Sequence, residues 1–222
     1  MSGQGASLHE LAPKYLRNRY RILFYTVLLT LISAPILSAL KFSGILIESF
    51  LAANLLAAIM PISGVMSRPY LMLGLLAIWL VRPFTSWLEH PTLSAATLAV
   101  WTAIGLLAAA TALQFAMSAT KVDAEHLYAA LSAYLLAGIY FGLLYWVLEQ
   151  IIPGTFAAST HFSQSSAIYF SFVTLATLGY GDIAPRGDIA RGVAIIEGVG
   201  GQLFLAVLVA RLVSLYSKPA DN

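Results

Sequence analysis

Long apolar runs with almost no charge in them constrain this chain more than any other feature. Residues 22–40, 94–117 and 127–148 contain no Asp, Glu, Lys or Arg, and residues 44–66 contain only Glu48. About 20 apolar residues rising ~1.5 Å each match the ~30 Å hydrocarbon core of a bilayer. A chain of 222 residues that is 59% hydrophobic and 10% charged cannot hide its apolar surface in a water-soluble fold, since soluble domains carry roughly 25% charged residues. The expected class is an all-α integral membrane protein.

Two further runs complete the count. Residues 69–88 are apolar but broken by Arg82 and Pro83, and 188–213 hold Glu197 and Arg211 within them. Six crossings place both termini on one side. With the N-terminus in the cytoplasm, Lys14, Arg17, Arg19, Arg21, Arg68, Lys121, Arg211 and Lys218 lie inside, against Lys41, Arg82, Arg186 and Arg191 outside. That bias points to cytoplasmic termini. The lean loops and short tails suit a plasma membrane of the bacterial inner-membrane kind. The first 19 residues are polar, include Glu10 and lead to no cleavage pattern, so a removed secretory signal is not expected.

Several functions fall away. Without cysteine there is no disulfide framework or thiolate site. A net charge of +2 offers no basic face for nucleic acid. His9, His126 and His161 are scattered and read as solvated side chains, and Glu48, Asn54 and Glu197 alone do not make a catalytic pair. A secondary transporter would show paired broken helices, and only one broken element is present.

That element lies between the last two runs. After Pro153 and Gly154 comes a polar stretch, Thr155 to Ser166, then an apolar segment of ten residues, Ala167–Ala176, too short to cross. Thr177-Leu178-Gly179-Tyr180-Gly181-Asp182 follows. A half-length helix ending in a Gly-containing loop reads as re-entrant, which is tolerated at membrane depth only where backbone is buried in protein or lines a watery path. A bare cation needs oxygens in place of its hydration shell. Consecutive carbonyls aim at one axis only if alternate residues visit φ > 0, which glycine does freely, and Gly179 and Gly181 stand two apart. Thr177 adds a hydroxyl, and Tyr180 would turn away from the axis and brace the loop. The preceding helix directs its partly negative C-terminal end towards the cavity below.

Thr174-Leu175-Ala176-Thr177-Leu178-Gly179-Tyr180-Gly181-Asp182 resembles the signature of tetrameric potassium channels, T-x-x-T-x-G-Y-G-D. The resemblance covers roughly residues 127–216 and implies an outer helix, a pore helix, a filter and an inner helix. It also implies carbonyl rings from Thr177, Leu178, Gly179 and Tyr180, completed by Gly181, with K⁺ as the permeant ion, no cofactor and no enzymatic activity. A ring needs four copies of the motif and each chain has one, so a homotetramer is implied. Asp182, Tyr169, Thr174 and Val173 would support the filter, with Tyr169 bonding Asp182. Val173 stands where an acid is found in the best-known bacterial pores, and Ala176 where Thr is common, which bears on filter support rather than on its carbonyls.

By resemblance a gating hinge falls on Gly201; close helix packing by small residues is the other reading of that position. Below it Gln202, Leu205 and Val209 recur at helical spacing and could line the cavity. Glu197 is a cation attractor, a proton-sensitive gate, or a buried acid bonded behind the filter to a serine or backbone amide of the pore helix. Residues 94–117 contain no Arg or Lys, so the four leading runs lack a conventional voltage sensor. The expected organisation is a cytoplasmic segment 1–19, a four-helix membrane domain 20–117, a linker 118–126, a pore domain 127–216 and a tail 217–222. Expected partners are further copies of the chain, lipids and K⁺, with an unknown gating subunit or ligand left open. A poorly selective cation pore and a nonconducting channel subunit are the alternatives.

Overall fold

The computed structural model describes residues 18–39, 49, 51–54, 77, 91–118, 123–159 and 161–216. Among the described residues, four long helices, one short helix and a two-stranded ribbon follow one another as α1 (Arg19–Ala39), α2 (Pro91–Ser118), α3 (Ala124–Ile151), β1 (Phe156–Ala158), the short α4 (Gln164–Leu175), β2 (Ile183–Pro185) and α5 (Asp188–Tyr216). The class is mostly helical. Three helices among the described residues, Thr92–Ser118, Ala124–Ile151 and Asp188–Val213, are long and apolar enough to cross a membrane. The expected run 22–40 lies within α1 except for residue 40, which is outside the described residues; those at 44–66 and 69–88 also lie outside them, apart from 49, 51–54 and 77.

Polar residues set where the helices begin. Asp123 caps α3 by accepting the His126 backbone N–H at 3.0 Å, which satisfies one of the free N–H groups of the first turn. Glu125 does the same for a neighbour: its carboxylate accepts the Tyr20 N–H at the start of α1, at 3.1 Å. His126 is not simply solvated, because its ring stacks on Phe115 at 4.5 Å and meets the Asp123 carboxylate at 2.6 Å.

Helix α3 is the central element. On one flank it packs against α2 and α1 through Leu98, Trp101, Ala108, Ala112, Leu136, Tyr140, Leu143, Leu23 and Val27, all nearly or fully buried. Asn54 ties its segment to α1 by donating to Thr30 Oγ1 at 2.6 Å. Towards its C-terminus α3 meets a second apolar cluster in which Tyr145, Phe156, Phe162, Phe170 and Ala190 interlock. Phe156 stacks on Phe162 at 4.6 Å, and Tyr145 meets Phe170 edge-on at 5.0 Å. These rings fasten the ribbon to the helices.

Candidate functional site

Helix α4 spans 12 residues, about 18 Å at ~1.5 Å per residue, which is short of a hydrocarbon core. It begins three residues before the expected apolar segment. Ser163 and Ser166 form a reciprocal capping box, and this draws polar Gln164, Ser165 and Ser166 into the first turn. Small residues then admit it to its neighbours. A Cβ at Gly142 of α3 would lie 2.5 Å from the Ile168 backbone, and one at Gly201 of α5 would lie 2.7 Å from Leu175 Cδ1 and 3.1 Å from the Leu175 carbonyl oxygen. Gly201 is therefore in contact with the last turn of α4.

Beyond Leu175 the chain folds back on that turn. Ala176 N–H donates to Phe172 O at 2.9 Å, Thr177 N–H to Thr174 O at 3.0 Å, and Leu178 N–H to Val173 O at 2.9 Å. Val173 and Thr174 thus hold the loop through their carbonyls, whatever their side chains do. Then the backbone alternates in hand: Thr177 has φ 56°, Gly179 φ 60° and Gly181 φ 79°. Thr177 is the single non-glycine residue with positive φ among the described residues, and for a β-branched side chain this conformation is a true outlier, costing about 1–3 kcal/mol. Nothing in the same chain lies within 4 Å of a Cβ built at Gly179 or Gly181; within one copy, glycine is needed there for its dihedral, not for space.

Residues 176–182 are all exposed. The Tyr180 ring lies parallel to the Tyr169 ring, with centroids 6.4 Å apart, so it turns back towards α4. The Tyr169 hydroxyl and the Asp182 carboxylate are electrostatic neighbours. Past Asp182 the chain is locked to the start of the same connection. Ser159 N–H donates to Asp182 O at 3.3 Å, β2 pairs antiparallel with β1 (Phe156 opposite Pro185, Ala158 opposite Ile183), and Arg186 N–H donates to Thr155 O at 2.7 Å. Glu149 closes the end of α3 by accepting the N–H groups of Gly154 and Phe156, at 2.8 and 3.0 Å. Arg191 pairs with Asp188 and donates to Pro185 O.

Behind α4, Glu197 is buried with 1% exposure. Tyr145 donates to its Oε2 at 2.5 Å, and Ser171 Oγ stands against both its Oε1 and, at 2.6 Å, the Gly138 carbonyl. Side chains of α3, α4 and α5 meet at this one point. The sequence pointed to a serine or amide near Glu197 but gave no sign of Tyr145. Lower on α5, Gln202, Leu205 and Val209 are exposed, as are Ile195, Ile196, Val199 and Leu203. Near its end Arg211 donates to Ala116 O of α2 at 3.0 Å, where cations suit the free carbonyls of a helix C-terminus.

Residues 130–218 match the family described as Ion channel. The chain is 32% identical to the Inward rectifier potassium channel Kirbac3.1 of Paramagnetospirillum magnetotacticum over 90 residues, 39% of this chain and 28% of that protein. It is 36% identical to the Two pore potassium channel c of Oryza sativa subsp. japonica over 92 residues, 40% of this chain and 18% of that protein. It is also 29% identical to Protein LctB of Bacillus caldotenax over 100 residues, 42% of this chain and 74% of that protein. The chain thus spans under a third of the length of the first two relatives. No solved structure matches it significantly. These matches support the resemblance to pore-loop potassium channels over residues 130–218, from within α3 through α5.

Proposed function

We propose that this chain is one subunit of a homotetrameric, potassium-selective channel that passes K⁺ passively down its gradient. In this reading the protein crosses the plasma membrane six times with both termini in the cytoplasm, and α4 is a re-entrant pore helix. Residues 127–216 form the pore domain, and residues 20–117 precede it without a conventional voltage sensor.

The observation that carries the reading is the alternation of φ at Thr177, Gly179 and Gly181 at the C-terminal end of a helix too short to span. A β-strand or α-helix cannot aim successive carbonyls to one side; a chain that changes hand at every residue can. Four such loops around an axis would present rings of oxygens from Thr177, Leu178, Gly179 and Tyr180, with the Thr177 hydroxyl innermost, and these would replace the hydration shell of a K⁺ ion. Permeation calls for no cofactor and no enzymatic step. The strain at Thr177 is what a ligand ring of fixed geometry would demand.

Assembly is supported by what one copy leaves open. The 176–182 loop is exposed, and α5 presents Ile195, Ile196, Val199 and Leu203 outward. In the tetramer the loop meets those of the other copies around the axis, these α5 side chains face neighbouring copies and lipid, and Gln202, Leu205 and Val209 line the cavity. The partly negative end of α4 faces the same cavity and favours a cation there. Gly201 is the hinge of α5 in this reading, and its contact with Leu175 makes any bend there also a movement at the end of α4.

Potassium efflux from liposomes holding the purified protein tests the reading. Efflux is expected from wild type and not from Gly179→Asp, which places a charge and an L side chain in the ring. Equal efflux from both, or none from either once the inner half of α5 below Gly201 is removed to open any gate, would overturn it.

A further inference from the structure

The node around Glu197 can be solved by counting protons. We infer that Glu197 is held as a neutral carboxylic acid and acts as the pin that positions α4 between α3 and α5, rather than as a charge offered to passing ions. A serine hydroxyl has one proton to give. Ser171 Oγ lies 2.6 Å from the Gly138 carbonyl oxygen, which can only accept, and also lies against Glu197 Oε1. An ionised carboxylate can only accept as well, so Ser171 could serve one of the two and would leave the other facing a lone pair. All the contacts are satisfied together when Glu197 Oε1 carries the proton and donates to Ser171 Oγ, and Ser171 donates to Gly138. Tyr145 then donates to Oε2, the remaining acceptor, at 2.5 Å.

The surroundings agree with this count. Ser171 and Tyr145 have no exposed surface and Glu197 has 1%, and a carboxylate with no compensating charge is costly at such a place. The groups facing Glu197 are Ser171 of α4 with Tyr145 and Tyr134 of α3; among the described residues no Lys, Arg or His forms an ion pair with it. The consequence lies in α4. Ser171 sits two and three residues before Val173 and Thr174, whose carbonyls hold Leu178 and Thr177. A proton on α5 therefore fixes the turn from which the 176–182 loop starts. Glu197 is a positioning residue.

The inference does not rest on the chain conducting ions, and its test begins without flux. Infrared spectra of the full-length protein in liposomes at neutral pH are compared between wild type and Glu197→Gln. Wild type should show the carbonyl stretch of a protonated carboxylic acid, absent from the variant. Glutamine sets an N–H donor against Ser171 and a carbonyl acceptor against Tyr145, as the neutral acid does, with one further N–H to spare, so Glu197→Gln should keep the thermal midpoint, with K⁺ efflux within about threefold of wild type. Glu197→Leu, which offers neither, should lower the midpoint by about 4 °C or more. Absence of the carboxylic band from wild type would overturn the inference, and so would a larger change in efflux in a Gln variant of unchanged stability, since charge would then be what matters. If Glu197→Leu does not fold, the infrared band and the Gln variant decide between these outcomes. If no efflux is seen even after the inner half of α5 below Gly201 is removed, the channel reading fails while the band and the midpoints still judge the pin.

Discussion

Replacing Gly179 with alanine isolates the backbone's contribution to the site. A Cβ at this position meets no atom within 4 Å, yet the residue sits at φ 60°. Within one copy of the chain the methyl group therefore fits, and its effect on that copy comes from the left-handed dihedral, which costs an L-residue about 1–2 kcal/mol. If four copies order their loops together around one axis, the cost reaches roughly 4–8 kcal/mol per ring, enough to depopulate the conducting arrangement. Gly192 on α5 is the matched control: a Cβ there also meets nothing within 4 Å, but the backbone is helical. Alanine at that position should be neutral or stabilising by up to ~1 kcal/mol. The assay pairs the thermal midpoint of each variant with K⁺ efflux from liposomes. Gly179→Ala should remain folded and lose efflux, while Gly192→Ala should keep both. Normal efflux through Gly179→Ala would refute the reasoning, because the positive φ would then not be what the position requires.

Other sites give sharper structural tests. Gly201→Ala drives a Cβ to 2.7 Å from Leu175 Cδ1 and should cost about 1–3 kcal/mol in thermal unfolding, with part recovered when Leu175→Ala is added. Asp123→Ala removes the α3 cap and should cost about 1 kcal/mol. The His126 backbone N–H, then its ring, hold the Asp123 carboxyl below the usual carboxylate range. That stabilisation is complete above the unfolded value, near pH 4, and lost as pH falls through the lower folded one, so the variant should flatten the acid limb of a stability profile. Arg211→Ala frees the Ala116 carbonyl and should lower the midpoint by the equivalent of about 1 kcal/mol, measurable by thermal unfolding in detergent.

Much of this architecture was legible because hydrophobic runs report helices directly: α2, α3 and α5 fall on runs 94–117, 127–148 and 188–213. The glycine spacing at 179 and 181 foretold the sites of positive φ. Thr177 was not foreseen, because its dihedral is imposed by the hydrogen bonds of the last turn of α4 and no local preference signals it. The ribbon was also missed. Phe156-Ala157-Ala158 is too short to show a period, and pairing with Ile183–Pro185 is a long-range choice set by the aromatic cluster beneath it. Glu149 spends its carboxylate on two backbone N–H groups, those of Gly154 and Phe156, a pairing that no sequence pattern signals. Glu197 was conspicuous as an acid in an apolar run; which groups met it depended on the angle at which α3 crosses α4, and sequence does not print that.

The most direct test of the central claim is the reversal potential of the purified protein in a planar bilayer under opposed K⁺ and Na⁺ gradients, with Gly179→Asp alongside. The expected result is a current that reverses near the K⁺ equilibrium potential and is absent from the variant. A current reversing midway between the K⁺ and Na⁺ potentials would contradict it, since rings built on Thr177, Leu178, Gly179 and Tyr180 would then not be choosing between the two ions.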